Sequence, residues 1–509
     1  MIYPRTGGIL LHITSLPGRY GIGEIGPEAF RFIDRLSEMG QRLWQILPLG
    51  DPGSGNCPYN TVSAFANNPM LISFDALIEE GYLNRSDLNG LKKYPVHKYD
   101  AKKVAPDRAH ILNTACKRFS KCASEEKKAA LEVFCEKNGY WLDDYSLFTV
   151  LKDAHDGVSW MDWDPKYARR EDNAIQSARH QYEAGIQRQK IAQFLFDDQW
   201  NRLRKYAHEK GVKIIGDIPI YVSYNSADVW ANQELFQLDE DGNMTVQSGC
   251  PPDYFCETGQ LWGNPIYKWD AHNKSGYSWW TKRLQKLYDM VDIVRIDHFN
   301  GFAKYWEVPI ESKTAQNGRW VKGPGEKIFD TLFRKLGRKP IFAEDLGEAT
   351  TEAAVLRGKY HLPGMKILQF AFDSHERGNG CLPDEYPENC VVYTGTHDNN
   401  TTLGWFHDDP GTAVTQTDDE IRQERARVLS YLGTDGSEIN WDMIQLALQS
   451  KAHTSIIPLQ DILGLDSEAR MNIPGTIEGN WVWRFNQDLL SDGMIERMRS
   501  LTQESGRMG

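Results

Sequence analysis

Short apolar runs and segments of helical spacing alternate along most of the chain, and that alternation limits the fold to a parallel sheet, open or closed. Strand candidates lie at about 9–13, 43–48, 212–220, 293–299, 340–346, 366–372, 390–397 and 455–461. The segments between them carry helix signals. "GPEAFRFIDRLSEMG" has Pro27 near its start and Gly40 at its end, and Phe196, Trp200, Leu203 and Ala207 share a helical face ahead of Gly211. Eight strands favour closure, so the expected fold class is α/β, a (β/α)8 TIM barrel.

The spacing of the strands is uneven. A barrel needs about 250 residues, and this chain has 509. The surplus falls in two places. Residues about 75–195 are charge-rich and helix-prone, and read as an inserted helical subdomain of a single catalytic barrel spanning 1–509. Residues about 223–275, rich in Gly, Pro, Asp and Trp, read as an inserted loop subdomain at the active site.

A net charge of -12 argues against a nucleic-acid surface. None of the eight cysteines forms a C-x-x-C pair or sits at zinc spacing from a histidine, so free, mostly buried thiols in a reducing cytosol are expected. "MIYPRTGG" lacks an apolar h-region and transit-peptide character, and no run of about 20 apolar residues exists. A cytoplasmic protein without a membrane partner is the expectation, or a plastid form whose transit peptide has been removed.

Four strands share an oddity: each is apolar and carries a carboxylate at or near its end. These are Asp217 in "IIGDIPIYV", Asp297 in "IVRIDHF", Glu344 in "IFAEDLG" and Asp398 in "VVYTGTHDNN". In a (β/α)8 barrel such residues converge on one face. Any one of them reads equally well as a cap or half of an ion pair. Four together, expected on alternate strands, repel one another unless they perform chemistry or hold a metal. Acetal cleavage needs one protonated and one ionised carboxyl at the same pH. Arg295, two residues from Asp297 on the same face, favours the ionised form there, while Asp345 next to Glu344, if close, favours a protonated Glu344. Asp297 is thus assigned as nucleophile and Glu344 as acid/base. His298 and His397 adjoin carboxylates and leave a metal site open, although no oxygen-rich or H-E-x-x-H signature accompanies them.

"VRIDHF", "AEDLG", "TGTHDN" and "DYFCETGQLWGNP" together resemble the 4-α-glucanotransferases of glycoside hydrolase family 77, the amylomaltases or disproportionating enzymes. "GILLHITSLPGRYGIG", "GSGNCPYN" and "RMNIPGT…GNWVWRF" extend the match over nearly the whole chain. The resemblance implies a barrel with insertions, no metal and no cofactor, and α-1,4-glucans and maltooligosaccharides as partners. It implies Asp297 as nucleophile, Glu344 as acid/base and Asp398 as the third carboxylate, gripping sugar hydroxyls. Arg295, His397 and Asp217 match residues around the same ring, and Tyr59 matches an aromatic platform. Asp253, Gln260 and Trp262 match a loop folding over the site; His298 and Asn472 complete the implied substrate-binding set. The carboxylates alone leave a hydrolase open, and only the resemblance selects a transferase over it; a non-catalytic glycan-binding protein remains a further alternative, although it gives no reason to keep Asp297 and Glu344 both intact.

Cys57 and Cys256 stand where the family commonly has Ser, Asn300 where it has Arg, and Asn400 where it has Asp. "GIGEIG" fits G-x-G-x-x-G, but "SLPGRY" separates it from the strand end, so a tight turn is expected rather than a dinucleotide site.

Overall fold

Eight parallel strands close into a barrel in the computed structural model, which describes residues 5–52, 56–252, 257–347, 351–372, 382–407 and 417–508. In chain order the described strands are β1 (Thr6–Leu10), β2 (Leu43–Gln45), β3 (Lys213–Pro219), β4 (Val246–Cys250), β5 (Gln260–Pro265) and β6 (Ile293–Asp297). They continue with β7 (Lys304–Pro309), β8 (Arg319–Lys322), β9 (Ile341–Ala343), β10 (Gly364–Ile367), β11 (Cys390–Tyr393) and β12 (Thr454–Pro458). The barrel order is β1-β12-β11-β10-β9-β6-β3-β2. Each strand candidate overlaps one barrel strand. The observed strands are shorter, because the ladder ends where the chain turns out into loops, and Glu344 lies one residue past β9.

The barrel strands are buried nearly throughout, as expected of a sheet covered on both faces. Helices pack on the outside by single faces. In Pro27–Glu38 the buried residues are Ala29, Phe32, Ile33 and Leu36, a helical stripe. Between β2 and β3 run the helices Ala101–Cys122, Glu125–Ala154 and Glu183–Glu209. The last is unbroken across the boundary expected near 195. Its C-terminal half buries Trp200, whose Nε1 donates to the carbonyl of Met290 at 3.0 Å, at the foot of β6.

A separate antiparallel sheet, in the order β5-β4-β7-β8, stands on the C-terminal side of the barrel. It draws β4 and β5 from the expected loop subdomain, but β7 and β8 from the next loop along, after β6. The glycine run "GIGEIG" is a close-packed turn: a Cβ on Gly23 would lie 1.8 Å from the carbonyl oxygen of Ile13. Gly26 then precedes the helix Pro27–Glu38, and the run builds no dinucleotide cradle.

At the opposite end of the barrel Arg507 is fully buried and donates to the carbonyls of Leu448, Thr6, His453, Ser450 and Ala452 at 2.6–3.3 Å. Arg5 adds bonds to Leu448, Ala452 and Ser505. This clamp ties the C-terminal segment to β1 and to the chain entering β12. Of the six described cysteines only Cys116 and Cys390 are buried, fewer than expected; Cys122 is exposed. Among the described residues no helix is long and apolar enough to cross a membrane.

Candidate active site

Strand register brings the charged residues together. Asp217 on β3 is the direct partner of Arg295 on β6, and Ile296 on β6 is the partner of Ala343 on β9. The next residues along, Asp297 and Glu344, therefore emerge side by side at the C-terminal end of strands spaced about 4.8 Å apart. Three consecutive strands, β3, β6 and β9, carry this group, not the alternate strands expected. Asp398, beyond β11, reaches it from across the barrel mouth.

Arg295 is the hub. Its Nη1 donates to Asp217 Oδ2 at 2.6 Å and to Asp297 Oδ1 at 3.0 Å, and its Nε contacts Met365 Sδ at 3.4 Å. The Tyr59 hydroxyl donates to the same Asp217 oxygen at 2.8 Å. Burial raises the Asp217 carboxyl, against the opposing pull of Arg295. The Asp217 side chain has no exposure, whereas that of Asp297 is 26 % exposed. Of the two carboxylates bound to Arg295, only Asp297 is open to a ligand.

Glu344 has a different environment. Its Oε2 accepts from the backbone N–H of His298 and its Oε1 from that of Leu346, both at 2.7 Å. Burial pushes its carboxyl up to about 8, with the charge of Asp297 adding to the rise and Arg295 and the two amides opposing it. Asp345 is not the cause. It pairs with Arg357 at 3.0 Å and accepts from the Met365 N–H at 2.8 Å, so its charge is spent elsewhere. His298 has φ +50, a left-handed conformation uncommon for a side-chain-bearing residue, and this bend brings its N–H onto Glu344.

Asp398 is held by three contacts. Asn472 Nδ2 donates to its Oδ1 at 2.7 Å, His397 Nε2 lies 3.3 Å from its Oδ2, and Arg470 binds its backbone carbonyl at 2.7 Å. Tyr59 stacks on the His397 ring, with centroids 5.2 Å apart and planes at 15°. Trp262 meets His298 edge-on at 4.9 Å and donates to Gln260 Oε1 at 3.1 Å. One connected set thus contains every candidate site residue except Asp253, which lies outside the described residues, as does Cys256.

Several participants were not singled out from the sequence: Arg470, the Leu346 amide, Met365, and Trp481, whose ring packs on Tyr59 and His397. Asn300, a departure from the family pattern, binds the Leu346 carbonyl at 3.2 Å and so steadies the turn that serves Glu344. Asn400 binds Ser467 at 2.8 Å, away from the carboxylates. Among the described residues no group of three or more His, Cys, Asp or Glu side chains is arranged to hold a metal ion.

A barrel mouth with one carboxyl raised by burial and a neighbouring one bound to arginine suits acetal chemistry. The family model described as 4-alpha-glucanotransferase, glycoside hydrolase 77, matches residues 11–490. The chain belongs to the 4-alpha-glucanotransferase family. It is 45% identical over 511 residues to the 4-alpha-glucanotransferase of Synechocystis sp., covering all of this chain and 99% of that one. It is 44% identical over 516 residues to that of Thermus thermophilus, covering both chains in full. Among solved structures, the amylomaltase of Streptococcus agalactiae in complex with acarbose matches with a TM-score of 0.93 and 37% identity over 99% of each chain. The activity is 4-alpha-glucanotransfer, and the hydrolase and non-catalytic readings that the carboxylates left open gain no support.

Proposed function

We propose that the enzyme transfers α-1,4-glucan segments between maltooligosaccharides by a retaining double displacement at Asp297 and Glu344. Asp297 attacks the anomeric carbon while Glu344, protonated, gives its proton to the leaving 4-oxygen. The glycosidic bond breaks and a covalent glycosyl-enzyme forms. Glu344, now ionised, takes the proton from the 4-hydroxyl of an acceptor glucan, which attacks the same carbon and releases Asp297. Retention calls for carboxyl groups about 5 to 5.5 Å apart. The observation that carries this reading is the contrast between neighbours: Glu344 is raised to about 8 by burial, whereas Asp297 is partly open to solvent and bound to Arg295 at 3.0 Å.

Asp398 grips two sugar hydroxyls at the cleavage subsite, with His397, Arg295 and Asp217 around the same ring. Tyr59 and Trp262 present flat faces to sugar rings. Gln260 and His298 line the covering loop side, and Asn472 keeps Asp398 aimed. The helical segment 75–195 and the loop segment 223–275 act as insertions on one catalytic barrel, and the enzyme works in the cytosol, or in the plastid stroma if a transit peptide has been removed, a reading that the thiol content supports.

Transfer has to outrun hydrolysis. With acceptor at about 10 mM against about 55 M water, parity needs a preference of about 5 kcal/mol, at about 1.36 per tenfold. Stacking surfaces and the loop carrying Trp262 supply it by binding acceptor and excluding water. The test is a product chromatogram from maltotriose. Glucose and longer oligosaccharides with little rise in total reducing ends are expected; a steady climb in reducing ends would overturn the mechanism as a transfer. Acarbose, the ligand of the Streptococcus agalactiae structure, is expected to inhibit.

A further inference from the structure

His397 and His12 line a common cavity of about 20 Å³, with Leu10, Leu11, Thr396 and Gln460 among its walls. His12 sits two residues beyond β1 and His397 four beyond β11, so only barrel closure through β12 makes them neighbours. The volume suffices for one water, which needs about 10–15 Å³ and two or more polar partners. Both rings are more than nine-tenths buried, and the Nδ1 atom of each is buried with no hydrogen-bond partner in the protein.

The Asp398 contact favours one place for the His397 proton. Nε2 lies 3.3 Å from Asp398 Oδ2, and because a carboxylate only accepts, the tautomer with its hydrogen on Nε2 suits this contact. Burial holds both rings below the ordinary histidine range, His12 down to about 3, so both are neutral at pH 7. The charged groups facing His397 are Asp398 and Asp297, which favour its protonation, and Arg295, which opposes it. A neutral ring protonated on Nε2 leaves Nδ1 a bare acceptor, costly to bury without a donor.

We propose that His12 is a positioning residue for the transfer reaction, acting through one water enclosed between the two rings. His12 Nδ1–H donates to the water, the water donates to His397 Nδ1, and His397 Nε2–H donates to Asp398. The chain has one direction and ends on the carboxylate that grips the sugar. Its value to catalysis rests on the role proposed above for Asp398; the tautomer itself does not. If the proton moved to Nδ1, a lone pair on Nε2 would face the carboxylate and push it off its sugar-binding pose.

The test combines His12→Phe, which keeps a ring and removes both nitrogens, with His12→Asn, which keeps an amide donor near the Nδ1 position. His12→Phe is expected to lower kcat/KM for maltotriose disproportionation about tenfold, as loss of an orienting partner commonly does. His12→Asn is expected to remain within about threefold of the parent, its donor being retained. NMR of the 15N-histidine-labelled full chain reads the tautomer directly, with the His397 signals identified by their loss in His397→Gln. The expected result is the Nε2–H form in the parent and in His12→Asn, and a mixture in His12→Phe. A parent His397 carrying its proton on Nδ1 overturns the proposal whatever the variants do. So does His12→Asn losing as much activity as His12→Phe with an unchanged melting temperature. The tautomer is read without turnover, so a failure of the Asp297 and Glu344 reading leaves this result standing.

Discussion

The two ends of the barrel bury charge in opposite ways. At the N-terminal end Arg507 spends its hydrogens on five backbone carbonyls, and burial lowers it to about 9. At the C-terminal end the carboxyls of Asp217 and Glu344 are raised, His298 bends through a left-handed conformation, and Asp217 Oδ1, His298 Nε2 and His397 Nδ1 are buried without protein partners. The first arrangement is closed and has nothing to offer a ligand. The second leaves hydrogen-bonding capacity without a protein partner beside the carboxylates, as strained and unsatisfied groups commonly do at functional sites. Between these two sites, buried charge as such does not tell stability from function; what differs is how much of its hydrogen-bonding capacity is left over.

Exchanging the damage between the two ends breaks or sharpens that contrast. The largest effect belongs to Asp297→Ala, expected to cut transfer by at least about 10^4-fold while the melting temperature holds, since a nucleophile's loss is felt in the transition state. Residual turnover within tenfold of the parent would remove Asp297 from the reaction. Next comes Arg507→Ala, which strands several buried carbonyls and should cost about 3 kcal/mol in denaturant unfolding. The kcat/KM of its folded fraction should match the parent; a selective loss of activity would erase the distinction between the ends.

Glu344→Gln probes the raised carboxyl through stability. A carboxyl moved up from 4.5 to about 8 on folding contributes its stabilisation fully below its unfolded value and loses it as pH rises through about 8. The glutamine variant should therefore melt above the parent at pH 9, with the difference vanishing near pH 4. An unchanged difference across that range would mean Glu344 is not held up. The smallest effect is expected from Trp262→Ala: a severalfold rise in acceptor KM and a larger share of hydrolysis products, by loss of stacking surface.

Most of the barrel was legible because its strands are dense in β-branched and aromatic residues between clear helix stops. "KYWEVP" escaped notice as β7 because it is anchored on β4, a strand from another loop, and "RWVK" as β8 because its one partner is β7, tertiary facts that short segments do not encode. The carboxylates stood out because charge at the end of an apolar strand is conspicuous. The reason for the state of Glu344 was not legible. Chain adjacency pointed to Asp345, but the strand geometry turns that side chain to Arg357 and leaves burial as the cause. His12 and Arg470 lie within motifs the sequence displays, but their partners were not legible, since each gains its partner only when the barrel closes.

The most direct test of the facing pair is covalent capture. Glu344→Gln, lacking its acid/base, is incubated with a maltosyl fluoride blocked at its terminal 4-hydroxyl; fluoride leaves without protonation, and no acid/base remains to assist release of the glycosyl group. Intact mass followed by peptide mapping should show one maltosyl unit per chain, attached to Asp297. A label on Asp217 or Asp398, or fluoride release with no label on any carboxylate, would contradict Asp297 as nucleophile.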